Sequence, residues 1–130
     1  MNIVSCTTHG VTIKVETRYL PDHSQPRAKK YVFGYHITIE NRSPYTIQLL
    51  RRWWKITEAT NEVREVEGEG VIGLQPIMQT GEGHDYVSFC NISTETGRMR
   101  GYYTMLRVAD GVEFEVEIPE FTMISPAILN

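Results

Sequence analysis

A glycine-rich segment from Gly68 to Gly73 has the spacing G-x-G-x-x-G, which holds a pyrophosphate group in dinucleotide-binding folds. That chemistry needs a strand before the glycines and a helix after them, because N–H groups of the first helical turn bind the phosphate oxygens. Here Leu74-Gln75-Pro76 follows directly, and Pro76 disfavours a helical conformation at Gln75. The segment is therefore not predicted to be a Rossmann site.

The same glycines offer a simpler chemistry. Consecutive backbone N–H groups in a glycine turn can form an anion-binding nest, for which Arg51 or Arg52 would supply the positive charge. This interpretation predicts weak binding of pyrophosphate or a polyphosphorylated nucleotide at Gly68, Gly70 and Gly73. The alternative, which we favour, is that the glycines allow positive φ angles and a close passage of the chain over a sheet.

Two adjacent tryptophans provide a second candidate site. Neighbouring residues of a strand point to opposite faces, and Trp54 shares its face with Ile56, so Trp54 is predicted to lie in the core. Trp53 then shares the outer face with Arg51 and Lys55. A large outward aromatic ring between cations is typical of the centre of a protein–protein interface. Arg51, Trp53 and Lys55 are therefore the candidate partner-binding residues.

Two expectations accompany this assignment. The stem of Arg52 should pack at the rim of the core, with its guanidinium reaching a carboxylate or a loop carbonyl. The alternative for Trp53 is that it is covered, either by a strand irregularity near Leu50-Arg51 or by the loop over residues 21–26. The irregularity itself is expected because the apolar parity changes between Leu49 and Trp54, which needs one extra residue.

Catalytic and metal chemistry are not predicted. The four histidines lie on different elements, without metal-ligand spacing and without a carboxylate expected to orient an imidazole: His9, His23, His36 and His84. Cys6 and Cys90 are far apart, and neither has a base partner or the spacing of a zinc site. We therefore expect no catalytic residue, no metal site and no cofactor, and interpret the chain as non-enzymatic.

Short alternating segments position these residues. Val11 to Tyr19 and Tyr31 to Glu40 alternate between apolar and polar residues, and in Val112 to Ile118 the apolar residues should face the core while the glutamates face water. Pro119 is expected to end that strand. No segment has the periodicity of an amphipathic helix. Seven strands are predicted, over residues 11–19, 31–40, 47–57, 63–66, 84–92, 97–108 and 112–118.

This pattern predicts an all-β fold, most simply a fibronectin type III-like or immunoglobulin-like sandwich of about seven antiparallel strands, with a barrel as the alternative. The chain has 130 residues and 41% hydrophobic residues, which suit one domain over residues 1–130. It has no apolar run of membrane-spanning length and no signal-peptide pattern, so we expect a cytoplasmic protein with reduced cysteines and no membrane contact.

The charge is unevenly distributed along the chain. Residues 1–55 have a balance of +6 and residues 56–130 one of −9, which together give the net charge of −3. A basic surface for an anionic partner is one explanation, but pairing of the two halves across a sheet is the simpler one. The sequence pI near 5.8 argues against nucleic-acid binding, which needs a broad excess of Lys and Arg.

Several segments together resemble the ApaG family in content and order. They are Gln48 to Thr57, Val66 to Pro76, Met99 to Tyr103 and Phe114 to Phe121, within a similarity that runs from about Val11 to Pro126. The sequence departs from the family pattern at Trp53, where His or Tyr is more common.

The resemblance implies a fibronectin type III-like sandwich, found alone in bacteria and attached to F-box and polymerase-interacting proteins in eukaryotes. These contexts imply protein recognition. The family is also associated genetically with cobalt resistance, magnesium efflux and diadenosine tetraphosphate hydrolysis. We therefore expect a protein-recognition domain with an unidentified protein partner. Anion binding and an indirect role in divalent-cation homeostasis are the alternatives, and a homodimer through an exposed strand edge is plausible.

Overall fold

The alternation of apolar and polar residues produces strands along nearly the whole chain. The structure is a computed structural model and describes residues 2–126. Its nine strands are β1 (Asn2–Thr8), β2 (Val11–Tyr19), β3 (Tyr31–Asn41), β4 (Ile47–Glu58), β5 (Val63–Glu69), β6 (Ile77–Met78), β7 (Gly83–Ile92), β8 (Thr96–Arg107) and β9 (Glu113–Ile124). Two short 3-10 turns, Pro21–His23 and Pro26–Ala28, connect β2 to β3.

The strands form two antiparallel sheets that pack face to face. The first sheet has the order β1-β2-β3-β7, and the second has the order β5-β4-β8-β9 with β6 paired to one end of β4. Along one side of the sandwich β1 approaches β9, where Glu117 N–H donates to Thr8 Oγ1 at 3.3 Å and Cys6 Sγ–H to the Glu117 carbonyl at 3.3 Å. The predicted all-β sandwich is confirmed.

The strand count differs from the prediction of about seven. β1 was not predicted because Asn2–Thr8 lacks a clear alternation of large apolar and polar residues. β6 was not predicted because it contains only two residues and follows a segment rich in glycine and proline. Both pair with strands that were predicted, so they extend the sandwich without changing its class.

The core lies between the two sheets. The inward residues of β3 have the predicted parity, and Phe33, Ile37 and Ile39 are almost fully buried. The sheets are joined at one end by a loop that Asn41 organises from the interior. Its side-chain Nδ2 donates to the carbonyls of Tyr45 and Met78, and its Oδ1 accepts from the N–H and hydroxyl of Ser43. This network satisfies the polar groups of a buried chain reversal.

The predicted core face of β9 is correct only in part. Val116 and Ile118 are fully buried, Phe114 is half-buried with its ring edge-on to His9, and the three alternating glutamates are exposed. Val112 was predicted to be buried, but 45% of it is exposed. It precedes β9 in the hairpin, where its carbonyl accepts from Arg107 N–H, and lies beyond the last packed layer of the core.

Pro119 was also expected to end the last strand, and this is wrong. The pairing of β8 with β9 shifts between Met99 and Gly101, whose partners are Phe121 and Ile118. Pro119 lies within this irregularity, where a residue without an N–H is tolerated. Because of the shift, the buried side chains change from even-numbered positions such as Ile118 to odd-numbered positions such as Phe121.

The contrast between Ile118 and Val112 is testable, because both have the same parity. Ile118→Ala should lower the free energy of unfolding by about 2–5 kcal/mol, since it leaves a cavity in a packed layer. Val112→Ala should change it by no more than about 0.5 kcal/mol, as expected for a surface site. Urea unfolding measures both values, and similar losses for the two variants would contradict this placement of the core boundary.

Candidate functional site

The predicted irregularity in β4 is present and decides where the candidate residues point. Pairing of β4 with β8 shifts between Leu49 and Arg51, so Leu50 is an extra residue with no partner on β8. Residues before and after Leu50 consequently present opposite parities to the core. Trp54 is buried as predicted, and its ring packs edge-on against Tyr35 at 5.5 Å and Phe121 at 5.9 Å between centroids.

Trp53 lies on the outer face of the second sheet and is half-buried. Its ring stacks on Tyr102 of β8, with centroids 5.1 Å apart and planes inclined by 26°. Its indole Nε1–H donates to Glu65 Oε1 of β5 at 3.0 Å. Its partial cover comes from these two cross-strand neighbours and not from the Pro21–His23 turn, where His23 stacks on Phe89 of the other sheet.

Arg51 and Lys55 flank Trp53 on this outer face. Arg51 Nη2 donates to Glu113 Oε1 at 2.7 Å, which links β4 to β9 across β8. Lys55 is aligned with Glu65 on β5 and Arg100 on β8. The Arg51–Glu113 pair joins the basic first half of the chain to its acidic second half, whereas the other ion pairs of Lys and Arg within residues 2–126 each join residues of the same half. We call the surface formed by Arg51, Trp53, Lys55 and Tyr102 the β4 face.

Two rows of carboxylates border the β4 face. Glu65, Glu67 and Glu69 of β5 align with Lys55, Trp53 and Arg51. On β9, Glu117 aligns with Tyr102, and Glu115 and Glu113 align with the next two alternate residues of β8, Thr104 and Leu106. All six are exposed. The face is therefore an aromatic and cationic strip within an acidic surround, an arrangement suited to a partner that presents positive charge around an apolar contact.

Arg52 points the other way and enters a small cavity between the two sheets. The cavity has a volume of about 220 Å³, and residues from both sheets line it, including Arg52, Tyr35, Tyr86 and Ser88. Arg52 Nη1 donates to the carbonyls of Glu69 at 3.1 Å and Gly70 at 2.9 Å. The guanidinium thus reaches loop carbonyls, as predicted for the rim position.

The structure places Arg52 beside the three glycines and puts Arg51 on the opposite face. A Cβ on Gly68 would lie 2.9 Å from Arg52 Nη1, so Gly68 leaves room for the guanidinium. Gly70 has a φ of +63°, and a Cβ there would lie only 2.2 Å from the Leu74 carbonyl oxygen. Gly73 has a φ of +73° in open space. Each glycine therefore has a conformational or steric role.

Three N–H groups of the turn over residues 70–74 are already hydrogen-bonded. Val71 and Leu74 donate to each other's carbonyls, and Gly70 N–H donates to the carbonyl of Leu50 at 2.8 Å. The two central residues of this turn, Ile72 and Gly73, both have positive φ angles, which is the geometry of a type I′ turn. Ile72 is β-branched and rarely adopts this conformation, so the turn is held by its anchors.

Two tyrosines bridge the sheets next to this cavity. The hydroxyls of Tyr86 on β7 and Tyr103 on β8 are hydrogen-bonded at 2.5 Å in the buried interior. Burial raises the pKa of both phenols, and the positive charge of Arg52 opposes that rise only in part. Burial likewise raises the pKa of Tyr35, while a hydrogen bond with Ser88 lowers it. The cavity is thus lined by neutral hydroxyl groups, the Arg52 guanidinium and apolar side chains, and by the acidic residue Glu69.

The remaining titratable residues are dispersed. One expectation about them is wrong: His36 Nε2 lies 2.7 Å from Asp85 Oδ2, so this imidazole has a carboxylate partner across the β3–β7 pairing. Cys6 and Cys90 are free thiols, and burial raises the pKa of each. Within residues 2–126, no three His, Cys, Asp or Glu side chains are grouped in a way that could hold a metal ion.

Comparison with known proteins identifies the family. The ApaG domain matches residues 21–107, a range that includes all of β4, the glycine turn and the tyrosine pair. The chain belongs to the ApaG family. Proteins named ApaG from Parvibaculum lavamentivorans and Brucella abortus are 46% and 43% identical to it over 122 residues, which cover 94% of this chain and 93% of each relative.

A solved structure shares the fold. The crystal structure of a putative ApaA protein from Bordetella pertussis superposes with a TM-score of 0.86 at 40% sequence identity, and the alignment covers 89% of this chain and 94% of that chain. No helix in the described part of the ApaG chain is long and apolar enough to cross a membrane.

The opposite orientations of Arg51 and Arg52 predict different stabilities for matched variants. Arg52→Met keeps an apolar stem but removes both hydrogen bonds to the turn, and should lower the free energy of unfolding by about 1–3 kcal/mol. Arg51→Met removes an exposed ion pair and should lower it by at most about 1 kcal/mol. Chemical denaturation tests the difference, and an equal or larger effect at Arg51 would refute the assigned anchoring role of Arg52.

Proposed function

We propose that this ApaG domain is a non-enzymatic protein-recognition module that binds its partner through the β4 face. The observation that supports this most directly is the Trp53–Tyr102 stack. Two aromatic rings lie together on an open sheet face, one of them held by a hydrogen bond to Glu65. Such rings lose little conformational entropy on binding and offer a large area, which is why they dominate interfaces.

The charges around the stack indicate the kind of partner. The two rows of exposed glutamates on β5 and β9 border the face on both sides. A partner segment with Lys or Arg on either side of an apolar or aromatic residue would complement this arrangement. Because these charges are exposed, they should contribute mainly to the association rate, which should fall as the salt concentration rises.

The proposal predicts a separation between stability and binding. Trp54→Ala should lower the free energy of unfolding by about 3–5 kcal/mol, because it empties a core site. Trp53→Ala should lower it by about 1 kcal/mol, because it removes mainly the stack on Tyr102. The immobilised full chain should capture its partner from cell extract, and Trp53→Ala should lose that capture.

Tyr45→Ala is the matched control for this experiment. Tyr45 is an exposed aromatic residue that lies beneath the Arg107 guanidinium, away from the β4 face. This variant should retain the same captured protein as the unmodified chain. If Trp53→Ala stays folded and captures that protein equally well, the β4 face is not the binding surface.

A second candidate function has a specific observation in its favour. The cavity at Arg52 brings one guanidinium and three hydroxyl-bearing side chains together: Tyr35, Tyr86 and Ser88. We propose as the alternative that it binds a small anion of the pyrophosphate type next to Gly73. The hydrogen bonds from Arg52 Nη1 to loop carbonyls limit the affinity, because they already use part of the guanidinium.

Phosphorus NMR tests this alternative. Gly70 is left unchanged, because a Cβ at this position would collide with the Leu74 carbonyl oxygen. Pyrophosphate at millimolar concentration should shift and broaden its signal in the presence of the protein. The effect should disappear with Arg52→Met and persist with Arg51→Met, whose charge lies on the other face. An unchanged signal with the unmodified chain would eliminate the anion site and leave the glycines with their conformational roles.

A further inference from the structure

Within residues 2–126, no strand pairs with the outer edge of β7. On β3, the N–H of Val32 donates to Ser24 Oγ, and the carbonyl of Val32 accepts from Leu20 N–H. Both groups of Val32 therefore point away from β7. Its partner Asn91 must then point its own N–H and carbonyl away from β3. Because this direction alternates along a strand, Asp85, Val87 and Phe89 also direct their backbone groups outward from the sheet.

The other outer strands carry features that prevent edge pairing, and β7 does not. β5 has four charged residues among seven, β9 has four exposed glutamates together with Pro119, and β1 is covered along part of its length by β9. β7 pairs with β3 over ten residues without a register shift, and Asp85 is its one acidic residue. A long, regular and nearly uncharged edge of this kind is a template for another strand.

The side chains beside these backbone groups are apolar and exposed. Val87 is 55% exposed and Phe89 is 63% exposed, both on the outer face of the first sheet. At the far end of the edge, Arg64 Nη2 donates to the Asn91 carbonyl at 2.5 Å, which already occupies that acceptor. The free part of the edge therefore runs from Asp85 to Phe89.

We propose that this edge pairs with the same edge of a second copy of the chain. An antiparallel arrangement with its twofold axis at Val87 sets Val87 opposite Val87 of the second copy, and Asp85 opposite Phe89 of the second copy. Each of the three facing pairs exchanges two backbone hydrogen bonds, six in total. The same register sets Asn91 opposite Gly83 of the second copy, and because Arg64 already occupies the Asn91 carbonyl, the pairing ends before that position. The two four-stranded sheets become one continuous eight-stranded sheet.

The low charge of the β7 edge allows a second copy to bind there. Two molecules with a net charge of −3 repel each other, so they associate at least cost through a surface that has few charges. The acidic borders of the β4 face exclude it from such a contact. Along β7 the Asp85 carboxylate is engaged by His36, and the two Asp85 positions in the dimer are separated by four residues, about 13 Å along the strand. A free strand edge is its own complement, because each copy supplies the backbone donors and acceptors that the other needs, and no facing pair sets two charged side chains against each other.

Sedimentation of the full chain between micromolar and millimolar concentration tests the proposal. The unmodified chain should show a monomer–dimer equilibrium. Val87→Lys places two lysines face to face on the twofold axis and should raise the dissociation constant at least tenfold. Ile77→Lys is the control, because Ile77 is 61% exposed but belongs to β6 in the second sheet. The dissociation constant of this variant should equal that of the unmodified chain.

A cross-linking variant keeps the test decisive if Val87→Lys perturbs folding. Directly facing residues of a hydrogen-bonded antiparallel pair have Cα atoms about 5.5 Å apart, within the range of a disulfide. Val87→Cys should therefore form a disulfide-linked dimer under mild oxidation, and Ile77→Cys should not. A chain that remains monomeric at all concentrations, or a dimer that neither variant at position 87 affects, would overturn the proposal. Pairing of β7 with a strand of another protein would appear as the first of these outcomes.

Discussion

One extra residue in β4 determines which side chains of this strand face the core and which face solvent. Leu50 has no partner on β8, and its presence turns Trp53 outward and Trp54 inward. The Leu50 carbonyl accepts hydrogen bonds from Gly70 N–H at 2.8 Å and from Gln75 Nε2 at 3.0 Å. The same irregularity therefore turns one set of β4 side chains to the core and the other to the β4 face, and anchors the glycine turn beside the Arg52 cavity.

Local periodicity was sufficient to predict most of the fold. The alternation of β3, the change of parity near Leu50 and the assignment of Trp54 all follow from side chains that alternate with a period of two. The errors occurred where packing beyond one strand decides the outcome. Val112 has the right parity but lies beyond the last core layer, and Pro119 is accommodated because the β8–β9 register shifts around it.

For each candidate site, the sequence predicted one central residue but not its neighbours on other strands. The sequence singled out Trp53 and Arg52, but not the groups that touch them on other strands. Tyr102 and Glu65 are separated from Trp53 by 49 and 12 positions, and only the strand register makes them neighbours. The same holds for His36 and Asp85, which are paired across two strands joined by a long excursion of the chain. Register is a property of the whole sandwich, so these contacts have no local signature.

Burial of Tyr86 and Tyr103 between the two sheets also limits how far the pH can rise before the fold loses stability. Burial raises the pKa of both phenols above the value of about 10 for an exposed tyrosine, so the folded state retains protons that the unfolded chain releases. The stabilisation from this pair is complete below about pH 10 and is lost progressively above it. In strong base, proton release thus favours separation of the two sheets, because a phenolate cannot remain in their interior.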